Sequence, residues 1–244
     1  MTIPTPDLNN MSRKDLLKLN PEICKRDITQ KHLEAMFMAC DAFWHHPGEK
    51  NPTAPHAKLT SGKHSNIYIN CTRVLQRSNL CQIMAYQLLR RLSSFYNGPI
   101  DWVIGSDSAA LGLSKDIANL ANAKWHAMQK GPDKTQIWEK ATIMPEEHVL
   151  HVEELLTTNQ TTKAVRTAVR EGNPYQVNFI PYIPVLVLRP DKDVPDSIDG
   201  SKLFSCLYYD TYVVDPEKEE CEFCKNGSSA LSPKNHWDEL METM

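Results

Sequence analysis

Glycine is scarce in this chain: nine residues in 244, no two closer than seven positions. A Walker A loop needs two glycines five apart, and the dinucleotide fingerprint needs a tighter cluster still, so both are excluded. Any phosphate cradle must be built another way. No apolar run approaches the roughly 20 residues that span a bilayer. The opening MTIPTPDLNNMSRKD has no apolar core of a secretory leader. The expected address is therefore cytoplasmic, with no membrane partner. A basic block is also missing. Lys plus Arg number 27 against 30 Asp plus Glu, a net charge of −3, which leaves no electrostatic footprint for nucleic acid. The seven cysteines (24, 40, 71, 81, 206, 221 and 224) are odd in number and scattered, as expected of reduced thiols. The one close pair, Cys221-Glu-Phe-Cys224, lacks the second pair that makes a zinc motif specific. It is read as two thiols in a tail turn, with no metal assigned. His236, twelve residues on, leaves a mixed site open.

A chain of this length fits one α/β domain with a core large enough to need no metal or disulfide. Residues 1–20 are polar and read as a mobile or surface-draped tail, with 21–244 as a single domain. Leu33, Met36, Phe37, Cys40 and Trp44 recur at helical steps through Ile28–Trp44. His45-His46-Pro47-Gly48 stops that helix, and its two histidines read as exposed. A turn centred on Gly62 separates two strand-like pieces in His56–Asn70, and residues 78–96 form an amphipathic helix. Strand and helix then alternate: Asp101–Gly105, Ala109–Ala121, Lys124–Met128, His148–Leu155, Thr162–Arg170, Val177–Leu188 and Leu203–Val214. This pattern predicts a mostly parallel central sheet flanked by helices. Residues 129–147 are polar and aperiodic, and loops of that length are usually functional or disordered.

The chemistry concentrates where the apolar strand Val149–Val152 runs into Glu153-Glu154, then Thr157-Thr158-Asn159-Gln160-Thr161-Thr162, then the helical KAVRTAVR. Ligands of parallel sheets bind beyond the carboxyl ends of the strands. A helix N-terminus there offers free N–H groups to an anion. Four threonine hydroxyls add donors, and two carboxylates can accept from a ribose diol or hold Mg2+ through water. The arrangement describes a sugar-phosphate pocket.

These residues resemble the signature of the type I phosphoribosyltransferases: an apolar strand, an acidic pair, and a loop for the 5′-phosphate of phosphoribosyl pyrophosphate. Leu59-Thr-Ser-Gly-Lys-His-Ser-Asn-Ile-Tyr68 is similar to the base-binding stretch of orotate phosphoribosyltransferases, and Cys221–Gly227 to the C-x-x-C-x-x-Gly ending of many bacterial members. Together the landmarks span residues 56–227. The resemblance implies a type I phosphoribosyltransferase fold, with a small hood from about 30–70 plus the C-terminal segment. It implies transfer of ribose 5-phosphate to orotate or a related pyrimidine base, with Mg2+ and a homodimer. Glu153, Glu154, Lys130 and Lys134 would be catalytic, the lysines on a mobile loop closing over pyrophosphate. Ser106, Asp107, Ser108 and residues 157–162 would bind phosphoribosyl pyrophosphate. Ser61, Lys63, His64, Ser65 and Tyr68 would hold the base. The phosphate side departs from the pattern. Asn159-Gln160 stands where small residues are usual, Glu154 where Asp is usual, and the turn after Gly105 lacks a Gly-Gly pair. The alternative reading is a non-catalytic relative that binds a nucleotide or a protein.

Overall fold

The computed structural model describes residues 7, 8, 11–26, 28–107, 109–131, 135–191 and 195–244. Helix α1 (Arg13–Leu16) precedes α2 (Gln30–Ala39). Within the segment expected as a tail, Leu16 and Leu19 are buried in the main core, so that part is packed rather than draped. The helical periodicity up to Trp44 is broken early. Asp41 adopts φ +50, a left-handed conformation that ends a helix. Trp44 consequently lies on a strand, β1 (Phe43–His45). His46 is buried, its Nε2 3.0 Å from the Ala54 carbonyl, where the sequence pattern placed it on the surface.

The small sheet starts with β2 (His56–Lys58) and β3 (His64–Ser65), an antiparallel hairpin. Gly62 turns it at φ +86, a conformation that favours glycine. β4 (Ile67–Ile69) pairs with β1. Helices α3 (Cys71–Leu75) and α4 (Ser78–Leu92) lead to the main sheet. From there the chain runs through β5 (Trp102–Gly105), α5 (Ala109–Ala121), β6 (Lys124–Trp125), a separate hairpin of β7 (Gln129–Lys130) with β8 (Gln136–Ile137), β9 (His148–Leu156), α6 (Gln160–Gly172), β10 (Asn178–Phe179), β11 (Tyr182–Leu188), β12 (Ser197–Ile198) and β13 (Ser201–Tyr208). The chain closes with β14 (Val213–Val214), α7 (Glu222–Lys225), β15 (Ala230–Leu231) and α8 (Trp237–Met241). β14 and β15 flank the β2–β3 hairpin. Among the described residues no helix is long and apolar enough to cross a membrane.

The main sheet runs β12-β13-β11-β9-β5-β6, with β13, β11, β9, β5 and β6 mutually parallel and β12 an antiparallel edge. Period-two alternation sorts the strand residues onto two faces. Val103, Leu150 and Val152 join α2, α4 and α5 in the main core, while Trp102, Ile104 and Val149 pack with Val165 and Val169 of α6. Trp138 and Ile143 are buried in that second cluster. The described part of the stretch 129–147 is thus not uniformly a solvated loop: Trp138 and Ile143 are core, while most of its other residues are exposed or half-buried.

The chain passes from β5 outward to β6, then crosses back to β9 and continues to β11 and β13. The direction of winding therefore reverses between β5 and β9. In open parallel sheets the crevice beyond the carboxyl ends of the strands at such a switch point is where ligands bind.

Candidate functional site

β5 ends at Gly105. A Cβ there would meet the Ala110 carbonyl oxygen and Cβ, both at 3.1 Å, so glycine lets α5 sit directly on the strand end. Ser106 and Asp107 follow. Beside them β9 carries Glu153 and Glu154 just before its end at Leu156, and adjacent strand residues alternate between the two faces.

The two carboxylates have different jobs. Glu153 is buried and fully engaged. It accepts from Ser106 Oγ at 2.9 Å and Thr162 Oγ1 at 3.2 Å, and its Oε1 lies 2.9 Å from His151 Nε2. It ties β5, β9 and the first turn of α6 together. Glu154 meets the Ser106 hydroxyl only at 3.5 Å. Burial, then the neighbouring charge of Glu153, pushes its pKa up to about 8. Asp107 accepts from Gln136 Nε2 at 2.6 Å and pairs with Lys130 Nζ at 3.0 Å, latching the β7–β8 hairpin to the strand end. Burial opposes charge on Asp107, but the bonds from Gln136 and Lys130 outweigh it and hold the carboxyl below its ordinary range.

The turn between β9 and α6 lies at the carboxyl end of the central strand, as the sequence pattern requires. The helix begins at Gln160, two residues earlier than the apolar period suggested. Asn159 occupies the N-cap position without a side-chain cap bond. Gln160 is exposed. Thr158 and Thr161 are exposed, whereas Thr162 is buried on Glu153. The first N–H groups of α6 are thus uncapped by Asn159, with two hydroxyls beside them.

The hairpin segment reaches this turn through the loop after β11. Lys63 pairs with Asp191, whose backbone N–H donates to the Thr157 carbonyl at 2.8 Å. Arg189 donates from Nη1 to Ser65 Oγ at 3.2 Å, while its Nε is buried with no partner among the described residues. Burial lowers the pKa of this guanidinium, and the nearby Asp191 works against that. Arg189 was not among the residues singled out from the sequence. The available signal was an arginine immediately following a long apolar strand.

The structure therefore brings Ser106, Asp107, Lys130, Glu153, Glu154 and the 157–162 turn to one strand end, and joins Lys63 and Ser65 to it through Asp191 and Arg189. Ser61 is exposed at the hairpin tip. Tyr68 packs instead against Trp237, ring centroids 5.5 Å apart. His64 Nδ1 faces His56 Nε2 at 3.0 Å. Ser108 and Lys134 lie outside the described residues. Chemically, the strand end offers the start of α6 with two exposed hydroxyls, a half-buried carboxyl in Glu154, an exposed cation in Lys130 and a buried one in Arg189.

No family model matches the chain. It is 31% identical over 180 residues to the orotate phosphoribosyltransferase of Thermoanaerobacter sp., covering 73% of this chain and 87% of that one. It is 29% identical over 178 residues to that of Pelotomaculum thermopropionicum, with the same coverage of 73% and 87%. Among solved structures, the orotate phosphoribosyltransferase from Aeropyrum pernix superposes with a TM-score of 0.54 at 20% identity, covering 72% of this chain and 93% of that one.

Proposed function

The chain belongs to the orotate phosphoribosyltransferase family, and from that premise we propose how its residues carry the reaction. The fold is the type I phosphoribosyltransferase fold, and the activity is transfer of ribose 5-phosphate from phosphoribosyl pyrophosphate to orotate, releasing pyrophosphate. The bond from the anomeric carbon to the pyrophosphate oxygen breaks as the bond to the ring nitrogen forms. Positive charge builds on the ribose and negative charge on the leaving group, so catalysis needs carboxylate near the sugar and cations near pyrophosphate.

In this reading the uncapped N-terminus of α6, with Thr158 and Thr161, takes the 5′-phosphate. Glu154 faces the ribose hydroxyls. Glu153 is a positioning residue, because all its near contacts are to side chains it holds in place. Lys130 exchanges Asp107 for pyrophosphate when the β7–β8 hairpin closes. The small sheet of β2, β3, β14 and β15 forms the hood over the base. Arg189, with Lys63 and Ser65, receives the anionic pyrimidine. Mg2+ fits the all-oxygen donor set at this end. Of its carboxylates, Glu154 has room to take the ion through water, and the rest of the shell would come from substrate oxygens. When bound, the ion supplies positive charge to the departing pyrophosphate. A second copy of the chain is the expected partner, checked by sedimentation equilibrium.

The observation that carries the proposal is the free start of a 13-residue helix at the carboxyl end of the central strand, at the switch point. Calorimetry with phosphoribosyl pyrophosphate and Mg2+, followed by orotate and an assay of orotate consumption, tests it. Saturable binding of both and turnover are expected. A folded protein that binds neither would overturn the activity and favour the non-catalytic reading.

A further inference from the structure

Outside the strand-end site, four ligand-bearing side chains from distant parts of the chain converge. His56 Nε2 lies 3.0 Å from His64 Nδ1. Cys221 Sγ is 3.7 Å and Cys224 Sγ 3.6 Å from His56 Nε2, and Cys224 Sγ is 3.5 Å from His64 Nδ1. All four donor atoms fall within 4.8 Å of one another, and only Cys224 is exposed. We propose that these four residues bind one zinc ion in a closed tetrahedral site that fastens the C-terminal segment to the hood hairpin.

The spacing is what such an ion demands. With Zn–S near 2.3 Å and Zn–N near 2.0–2.1 Å, tetrahedral angles put ligand atoms about 3.3–3.8 Å apart. Four of the six separations run from 3.0 to 3.7 Å and none exceeds 4.8 Å, so small side-chain adjustments bring the donors onto such a tetrahedron. Two thiolates with two imidazoles is a soft donor set that, held tetrahedrally, selects zinc over the hard cations. Four protein ligands leave no open position, so the site is structural rather than catalytic.

The hydrogen-bond partners of His56 point the same way. Ser228 Oγ sits against the Ala54 carbonyl, which can only accept, so the hydroxyl proton is spent there. The same oxygen lies 2.7 Å from His56 Nδ1 and must accept from it. His56 is thereby fixed as the Nδ1–H tautomer, with the lone pair of Nε2 turned toward the thiols. Metal-ligating histidines are oriented by such a bond from their other ring nitrogen.

The location gives the ion a purpose. β2, β3, β14 and β15 are two or three residues long, shorter than strands that hold a sheet unaided. His56 opens β2, His64 opens β3, and Cys221 and Cys224 bracket the turn of α7. An ion at their centre clamps the hairpin that carries Lys63 and Ser65. The sequence reading of Cys221 and Cys224 as two thiols in a tail turn changes accordingly. His236, the ligand left open there, is instead 3.1 Å from Glu239.

The test uses the full chain, purified without chelator. Elemental analysis should find one zinc per chain, falling to below about one-tenth of that in the Cys221→Ser, Cys224→Ser double variant. Stripping zinc from the native chain should lower its Tm, and adding zinc back should restore it. If the double variant fails to fold, cobalt loaded into the stripped native chain decides. A thiolate-to-cobalt charge-transfer band with a tetrahedral ligand-field spectrum supports the site. Native protein that neither contains nor takes up zinc or cobalt, zinc retained by a folded double variant, or a Cys221–Cys224 disulfide in the protein as purified would each overturn it.

Discussion

Glu154 offers the sharpest quantitative test of the strand-end electrostatics. In the unfolded chain its carboxyl titrates near 4.5, and in the folded protein burial and the adjacent Glu153 push it up to about 8. Between those values the folded state holds one more proton than the unfolded state, so stability falls as pH rises. Below about pH 4.5 the group is protonated in both states and costs nothing. Above about pH 8 it is ionised in both and the whole cost is present. Each tenfold change in proton affinity is worth about 1.4 kcal/mol, so the displacement from 4.5 to about 8 amounts to about 5 kcal/mol. That figure is an upper bound, because Glu153 and Glu154 interact and share the effect.

Glu154→Gln keeps the shape and removes the titration. Urea denaturation of both proteins at several pH values between about 5 and 8.5 then isolates the group. The native chain should lose stability relative to the variant across that range. With a slope of about 2–3 kcal/mol per molar urea, the gap between midpoints should change by about 1–2 M. The difference should level off above about pH 9. Parallel curves for the two proteins across the whole range would refute the argument. They would show that Glu154 titrates in the fold as it does in water, and that the strand end is wet and uncrowded.

Three further outcomes follow from other contacts. Arg189→Ala should reduce kcat/KM for orotate about tenfold or more, since a charge-assisted bond is worth about 1.5–3 kcal/mol, and Arg189→Lys should not restore it; unchanged kinetics would remove Arg189 from the base site. Replacing Asn159 and Gln160 together with Gly should leave the Kd for phosphoribosyl pyrophosphate within about threefold, because Asn159 makes no side-chain cap bond and Gln160 is exposed; tenfold tighter binding in calorimetry would show that they obstruct the turn. Gly172→Ala would place a Cβ 2.2 Å from the Trp138 carbonyl oxygen and should cost about 1–3 kcal/mol in urea denaturation; a variant of native stability would mean that the Trp138 segment does not seat on the end of α6.

Where regular periodicity coincided with burial, the sequence was readable. β9 carries Val149, Leu150 and Val152 in a buried stretch, and α6 repeats Val165 and Val169 at the helical step. These two elements locate the strand-end turn, which is why the position of that turn could be read from residues alone. Two kinds of feature escaped. Trp138 and Ile143 lie in a mainly polar stretch with no period to mark them, yet both are buried. Glu153 and Glu154 are neighbours in sequence, but strand alternation sends them to different faces. Only the position of Ser106, His151 and Thr162 reveals that one of the pair is structural.

The histidine and cysteine cluster shows why the remainder was not legible. A zinc motif is recognised in sequence when its ligands come as two close pairs, because short spacings make one local loop responsible for the geometry. Here one pair is split across a hairpin, His56 and His64, and the other arrives 160 residues after His64, at Cys224. Neither half is diagnostic alone. What joins them is the pairing of β15 with β2 and of β14 with β3, contacts between the two ends of the chain that no local pattern encodes. The tautomer of His56 depends on Ser228, a residue with no motif at all. A site assembled by tertiary contacts becomes visible only when those contacts do, and the metal content of the purified chain is the measurement on which that reasoning stands or falls.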